Sequence, residues 1–163
     1  MTRRLNVLVL CTGNSARSIM AEALFNRLGA GRIRAYSAGS RPKGAVDPRA
    51  LDELTRRGVA VDGLRSKSWD VFAGADAPRM DLVVTVCDRA AAETCPIWPG
   101  APVRAHWSFA DPSAVEGDER RQRDAFAATF ELIEGRVAAF CNLRFESLDG
   151  AALRRALEAQ GSH

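Results

Sequence analysis

Four short apolar runs in the chain alternate with longer stretches in which apolar residues recur every three or four positions. Short apolar runs are typical of buried strands, and the longer spacing is typical of helices with one buried side. The predicted strands are Leu5–Cys11, Ile33–Ser37, Asp81–Cys87 and Val103–Trp107, and the predicted helices are Ser18–Leu28, Pro48–Arg57 and Glu119–Asn142. This alternation predicts an α/β fold, a doubly wound four-stranded parallel sheet with helices on both faces.

Two details of the pattern refine this arrangement. The runs around Val9 and Val84 are the most apolar, so we expect them to be the central strands of the sheet. The last predicted helix carries large apolar residues on one face, namely Phe126, Phe130, Ile133, Val137 and Phe140. Between Ser66 and Met80 the pattern predicts no regular element.

The length of 163 residues and the hydrophobic fraction of 47% suit one well-buried core and are too small for two ordinary domains. We therefore expect one domain over residues 1–142 and a tail over residues 143–163. The tail contains a short predicted helix from Ala151 to about Ala159. Packing on the same domain is the simpler role for this tail, and contact with a partner is the alternative.

The charge distribution excludes several classes of function. Lys and Arg total 23 against 20 for Asp and Glu, and the net charge of +3 is not gathered into a basic run that would bind nucleic acid. The first apolar run has only seven residues, which is too short for a signal sequence or a membrane span. The composition suits a cytoplasmic protein with a small anionic substrate.

The cysteines favour chemistry over structural disulfides. Four cysteines in a reducing compartment are better explained by a catalytic or redox role. A metal site is the weaker alternative, because His106 and His163 are the only histidines and no close Cys-x-x-Cys pair is present. We therefore expect neither a bound metal nor a cofactor.

The segment Cys11–Ser18 connects the first predicted strand to the first predicted helix. If it wraps as a loop, its backbone N–H groups converge on one point at the helix N-terminus, where a tetrahedral oxyanion binds. The oxyanion-binding residues are then Thr12, Gly13, Asn14, Ser15, Ala16, Arg17 and Ser18. The positive field favours a thiolate at Cys11, and the guanidinium of Arg17 offers two parallel donors to an anion.

Individual residue types in this segment suit such a loop. Gly13 permits close approach of the backbone to an anion, Asn14 tolerates left-handed backbone angles, and the Ser18 hydroxyl can donate to the sulfur. The simpler alternative is a strand-to-helix turn that contains a buried cysteine. That alternative requires Cys11, Arg17 and Ser18 to fall in register by chance.

Ligands of open parallel sheets bind beyond the carboxyl ends of the strands. This rule brings Cys11, Cys87 and Asp111 over one pocket, because each ends or follows a predicted strand. A further cysteine, Cys95, lies eight positions after Cys87 and directly precedes a proline. The three cysteines favour a thiol–disulfide relay, and the alternative is that Cys87 is a core residue at a strand end.

Together these motifs resemble the arsenate reductases built on the low-molecular-weight tyrosine phosphatase fold, of the thioredoxin-coupled type. The resemblance extends from about Leu5 to Asn142. Its matching pieces are Cys11–Ser18, Met20–Glu22, Tyr36–Gly39, Asp81–Cys87, Cys95–Pro99 and His106–Pro112. The first motif is shared with phosphatases, whereas the Cys87 and Cys95 pair and the His106–Pro112 segment are specific to the reductases.

This resemblance implies that Cys11 is the nucleophile, Arg17 the oxyanion clamp and Asp111 the acid–base group. It also implies that Cys87 and Cys95 are shuttle cysteines, which carry a disulfide to the surface for reduction by thioredoxin. The implied substrate is arsenate, with phosphate and sulfate as competing oxyanions. The implied partners include neither nucleic acid nor a membrane.

Two other functions stay open at this point. A low-molecular-weight protein tyrosine phosphatase would use Cys11, Arg17 and Asp111 through a phosphocysteine intermediate. Such phosphatases usually have aromatic residues beside the catalytic Asp-Pro, whereas Ser113–Val115 follow Pro112 here. A non-catalytic oxyanion sensor, with the tail docking a partner, would bind phosphate without turnover.

Overall fold

The centre of the fold is a parallel sheet of four strands. The computed structural model describes residues 4–88 and 102–161. The strands are β1 (Leu5–Cys11), β2 (Ile33–Gly39), β3 (Leu82–Thr85) and β4 (Val103–His106), in the order β2-β1-β3-β4. All neighbouring strands are parallel, and Val9 of β1 pairs with Val84 of β3. The predicted doubly wound sheet and its central strands are therefore confirmed.

The helices begin and end within two residues of the predicted positions. They are α1 (Arg17–Leu28), α2 (Pro48–Arg56), α3 (Glu119–Cys141) and α4 (Gly150–Gly161). Short 3-10 helices cover Trp69–Phe72, Pro112–Ala114 and Phe145–Ser147. The first of these lies in the segment where the sequence predicts no element. Within the described ranges, no helix has the length and apolar character needed to cross a membrane.

Side-chain caps fix where two of the helices begin. The Asp47 carboxylate accepts a hydrogen bond from the Arg49 backbone N–H, and Pro48 occupies the first turn, where its missing N–H costs nothing. At the start of α3, the Asp118 carboxylate accepts from the Arg121 N–H. Each cap contributes roughly 1 kcal/mol to helix stability.

Alternate residues of β1 face opposite sides of the sheet, and the strand is buried on both. Val7, Val9 and Cys11 belong to the larger core cluster, which also contains buried residues of all four helices. Leu8 and Leu10 pack on the other face, against the 3-10 helix that contains Phe72. Burial of both faces explains why β1 is a continuous apolar run without alternation.

The apolar face predicted for α3 is confirmed. Its members Phe126, Phe130, Ile133, Val137 and Phe140 are at most 1% exposed. Burial of each such side chain contributes about 1.5–3 kcal/mol of transfer free energy. The long helix is therefore held mainly by its packing against the core.

The C-terminal tail shares the same core as the sheet. Helix α4 packs on β4, and its residues Leu153 and Leu157 are buried in the larger cluster. The fully buried Trp107 donates a hydrogen bond from its indole N–H to the Leu157 carbonyl at 3.1 Å. Its ring stacks on Phe25 of α1, with the ring centroids 5.8 Å apart.

Arg32 connects the end of α3 to the start of the tail. Its guanidinium donates to the Cys141 and Leu143 carbonyls at 2.7 and 2.9 Å, and lies over the Phe145 ring at 4.3 Å. The same group makes two hydrogen bonds to the Glu146 carboxylate, at 2.6 and 2.9 Å. This bidentate contact lowers the pKa of Glu146 to about 2.

We expect replacement of Glu146 by Gln to destabilise the protein in a pH-dependent way. The folded pKa lies below the ordinary value of 4.5, so the ion pair stabilises the fold fully above about pH 5 and is lost as the pH falls toward 2. At pH 7 the variant should lose about 1 kcal/mol, or about 3 °C in Tm. Thermal unfolding from pH 7 to pH 3 should show this difference shrinking. Glu131→Gln, at a 61% exposed carboxylate 3.9 Å from its partner, is the matched control.

Candidate active site

A pocket of about 760 Å³ opens at the carboxyl edge of the sheet. It is lined by the Cys11–Arg17 loop, by Arg41 and Lys43, by Cys87 and Asp88, and by residues of the Ser108–Ser113 segment. Four of the five predicted catalytic residues therefore meet here, namely Cys11, Arg17, Cys87 and Asp111, together with the predicted oxyanion-binding residues from Thr12 to Arg17. The fifth, Cys95, lies outside the described residues.

Cys87 follows its strand and does not end it, so the predicted third strand, Asp81–Cys87, was one residue too long at its start and two residues too long at its end. The ladder between β3 and β4 stops at Thr85, and the Val86 N–H bonds to the Leu10 carbonyl at 2.9 Å. Cys87 then turns toward the loop, where its sulfur lies 3.6 Å from the Thr12 hydroxyl oxygen. The buried thiols of Cys11 and Cys87 thus line one pocket.

The loop after β1 turns several of its carbonyl groups away from the pocket. The carbonyls of Thr12, Gly13 and Ser15 accept hydrogen bonds from the backbone amides of Arg41, Lys43 and Asp47, at 2.9, 3.0 and 2.9 Å. In a planar trans peptide the N–H points opposite to the carbonyl. The amides that follow these carbonyls therefore face the inside of the loop, next to the N-terminus of α1. Such an arrangement binds anions.

Asn14 holds the loop in shape. It has a left-handed φ of 44°, a conformation that asparagine tolerates, and its side chain is completely buried. The side-chain amide donates to the hydroxyls of Ser18 and Ser37 at 2.8 and 3.0 Å, and the side-chain carbonyl accepts from the Lys67 backbone N–H at 2.9 Å. One residue therefore joins the loop to the first helix, the second strand and a distant segment.

The Ser18 hydroxyl also forms a hydrogen bond with Cys11. The Ser18 oxygen lies 2.8 Å from the Cys11 sulfur. Because this oxygen already accepts a hydrogen bond from Asn14, the Ser18 hydroxyl hydrogen is available to the sulfur. When Ser18 donates this hydrogen bond, it stabilises negative charge on Cys11.

A largely buried ion pair, between Glu22 and Lys67, lies next to the hydrogen-bond partners of Asn14. Ser37 donates to the Glu22 carboxylate, and the Lys67 ammonium lies 3.9 Å from the same carboxylate. Burial raises the pKa of Glu22 and lowers the pKa of Lys67, because it penalises the charged form of each. Sequence reasoning did not find Lys67, which lies 53 positions from Asn14.

Gly39 allows the end of β2 to approach the loop closely. A Cβ atom at this position would lie 2.5 Å from the Thr12 carbonyl oxygen and 2.8 Å from that of Cys11. Both contacts are with backbone atoms, which cannot move aside independently. The glycine of the Tyr36–Gly39 motif is therefore required by the loop that it supports.

Arg17 and Asp111 face each other across the pocket. One guanidinium nitrogen of Arg17 donates to the Phe109 carbonyl at 2.9 Å, and another lies 3.6 Å from an Asp111 carboxylate oxygen. The other oxygen of Asp111 accepts from the backbone N–H and hydroxyl of Ser113, at 3.0 and 2.7 Å. These bonds hold one carboxylate oxygen of Asp111 and leave the other beside Arg17.

Asp88 is a second carboxylate of the pocket, which sequence reasoning missed. It accepts hydrogen bonds from the His106 ring at 2.8 Å and from the Ser108 hydroxyl at 2.9 Å. These two bonds, the one from His106 first, lower the pKa of Asp88. Asp88 is therefore occupied as the acceptor of two hydrogen bonds, whereas Asp111 is the carboxylate that lies beside Arg17.

In residues 4–88 and 102–161, no group of three His, Cys, Asp or Glu side chains could hold a metal ion.

Fold and pocket together define a class of α/β protein that holds an oxyanion loop with a cysteine at the carboxyl edge of a parallel sheet. The model of the low molecular weight phosphotyrosine protein phosphatase family matches residues 6–156. The chain belongs to this family. The matched range extends beyond Asn142 into the tail.

Known relatives include proteins named as arsenate reductases. The arsenate reductase of Halalkalibacterium halodurans is 34% identical over 131 residues, which cover 80% of this chain and 91% of that protein. A solved structure titled as an arsenate reductase in an oxidized state has a TM-score of 0.65 at 26% identity, with 81% of this chain and 92% of that chain covered. The thioredoxin-dependent arsenate reductase of Corynebacterium glutamicum has a TM-score of 0.57 at 26% identity, and the match covers 82% of this chain and 58% of that one.

We expect replacement of Asn14 by Gly or by Ala to separate its two contributions to the loop. Both variants lose the side-chain hydrogen bonds and should unfold at lower urea concentration than the wild type, because buried partners lose their hydrogen bonds. Alanine, unlike glycine, is also strained at the positive φ of this position. The free energy of unfolding of Asn14→Ala should therefore be about 1 kcal/mol lower than that of Asn14→Gly. Equal stability of the two variants would show that the loop does not require a left-handed residue.

Proposed function

We propose that this protein is an arsenate reductase that forms a disulfide between its own cysteines. The observation that carries the proposal is that a second thiol, Cys87, lines the same pocket as Cys11. A phosphatase of this family needs one nucleophilic thiol. Reduction of arsenate to arsenite needs two electrons, and two thiols supply them when they become a disulfide. The relatives named as arsenate reductases support the same reaction.

The first step is attack of the Cys11 thiolate on arsenic. The loop amides and Arg17 hold the oxyanion, and the Ser18 hydroxyl stabilises the thiolate until it attacks. Protonated Asp111 gives its proton to the oxygen that leaves arsenic, and this oxygen departs as water or hydroxide. A sulfur–arsenic bond has formed and an arsenic–oxygen bond has broken.

The second step transfers the electrons. The Cys87 thiolate attacks the Cys11 sulfur, and the electron pair of the sulfur–arsenic bond moves to arsenic. Arsenic is reduced from arsenate to arsenite, which leaves, and the two sulfurs are oxidised to a Cys11–Cys87 disulfide. The buried position of Cys87 beside the loop supports this role.

The last steps regenerate the enzyme. Cys95 attacks Cys87, which releases the Cys11 thiolate and leaves a Cys87–Cys95 disulfide. Thioredoxin then reduces this disulfide at the surface. The thioredoxin-dependent neighbour supports this choice of reductant. A reducing compartment that contains reduced thioredoxin is required, so we propose a cytoplasmic location.

The pocket offers little to an aryl phosphate. Among the described residues that line the pocket, Phe109 is the only aromatic one. It is 5% exposed, and the Arg136 guanidinium lies 4.8 Å from its ring centroid. The Phe109 ring is thus not accessible for stacking on a phosphotyrosine side chain. Slow hydrolysis of a phosphocysteine is a side reaction of the same loop, and the phosphatase function is the second candidate.

Replacement of Asp111 by Asn should lower the turnover of arsenate about a hundredfold, the usual scale for loss of a positioned general acid. The amide keeps the shape of the side chain, so phosphate binding should change much less. Steady-state arsenite production and isothermal titration with phosphate measure the two effects. Asp118→Asn is the matched control, because Asp118 only caps α3 and asparagine caps as well. Unchanged turnover with weakened binding would show that Asp111 positions the anion and transfers no proton.

The two enzyme functions are separated by serine variants of the cysteines. Cys87→Ser should stop arsenite production and leave slow hydrolysis of an aryl phosphate, because Cys11, Arg17 and Asp111 are intact. Cys95→Ser should complete about one turnover and stall as a Cys11–Cys87 disulfide. Peptide mapping after one turnover with arsenate identifies the disulfide directly.

Cys141 provides the control for these variants. It lies at the end of α3, where burial raises the pKa of its thiol, and it does not line the pocket. Cys141→Ser should therefore reduce arsenate at the wild-type rate. If the wild type shows only free thiols after exposure to arsenate, forms no arsenite and still hydrolyses an aryl phosphate, the phosphatase function is correct.

A further inference from the structure

Two basic residues, Arg41 and Lys43, are attached to the rim of the oxyanion loop. They follow the end of β2, and both line the pocket. Their backbone amides donate to the Thr12 and Gly13 carbonyls at 2.9 and 3.0 Å. The two side chains are therefore carried by a segment that is bound to the loop itself.

The Lys43 side chain crosses the loop. A Cβ atom built on Gly13 would lie 3.2 Å from Lys43 Cε and 3.4 Å from Lys43 Cγ. The hydrocarbon stem of the lysine thus covers the glycine, and the chain end reaches the pocket, as is usual for lysines that pack along a surface. Gly13 provides the space for this path.

The charges of the pocket are unevenly compensated. Its described lining contains three cationic side chains and two carboxylates. Asp88 is bound by His106 and Ser108, and Asp111 is bound by Ser113 and faces Arg17 at 3.6 Å. Among the described residues, none forms an ion pair with Arg41 or Lys43. The rim therefore has two exposed positive charges available to an incoming anion.

We propose that Arg41 and Lys43 form a capture site for doubly charged tetrahedral oxyanions, above the loop that binds them for reaction. With arsenate as the substrate, this inference rests on the proposed function. Exposed charges act over about a Debye length, so they raise the local concentration of the anion and its rate of entry. They do not touch the sulfur, and the chemical step does not depend on them.

The test compares neutral and charge-preserving variants of the rim. In Arg41→Gln/Lys43→Gln, the KM for arsenate and the Kd for inorganic phosphate should rise about tenfold at low ionic strength, with kcat within twofold of the wild type. At 0.5 M salt the Debye length falls to about 4 Å, and the difference from the wild type should shrink to about twofold. Arg41→Lys/Lys43→Arg keeps both charges and should bind phosphate as the wild type does.

Arg120→Gln/Arg123→Gln is the control for net charge. These exposed arginines lie on α3 and line a separate groove, so their loss removes the same charge and should leave KM and Kd unchanged. An unchanged phosphate Kd in the neutral rim variant, or a fall in kcat at constant KM, would overturn the proposal. If no protein forms arsenite but phosphate binding follows the expected pattern, the capture site stands and the arsenate reductase function is wrong.

Discussion

The candidate site depends on the side chain of Asn14. It is buried, it lies in a backbone conformation that few residues accept, and its amide reaches Ser18, Ser37 and the backbone of Lys67. A buried amide without partners would cost about 1–3 kcal/mol for each unsatisfied group. Because two of its partners, Ser37 and Lys67, lie 23 and 53 positions away in the chain, the shape of the loop depends on contacts with distant segments.

The sequence was sufficient for the sheet, the long helix and the loop, since each leaves a local signal. The sequence did not predict where β3 ends, because residues beyond the end of the strand are still buried. Val86 is fully buried although the strand ends at Thr85. The apolar run continues there, so the predicted strand continued with it. Contacts such as Lys67 with Asn14 and His106 with Asp88 join distant segments. They depend on strand order and register, which periodicity does not encode.

Residues of one chemical type take different roles because their neighbours differ. Asp88 is held ionised by a histidine and a hydroxyl, whereas Asp111 is aimed by Ser113 toward Arg17. The cysteines divide similarly. Cys11 and Cys87 line the pocket, while Cys141 lies at the end of a helix, where partial burial raises the pKa of its thiol. The amino-acid composition does not distinguish the two carboxylates from each other or the three cysteines from one another. Their positions and hydrogen bonds in the fold do.

The contact between Trp107 and the tail has an optical consequence. The indole N–H is bound to the Leu157 carbonyl and the ring is stacked on Phe25, away from water. Any separation of α4 from the sheet would leave this N–H to be hydrated and would shift the emission of the ring to longer wavelength. In a protein whose other two tryptophans, Trp69 and Trp98, are replaced by Phe, the intrinsic fluorescence of Trp107 is therefore a reporter of tail docking that requires no added label.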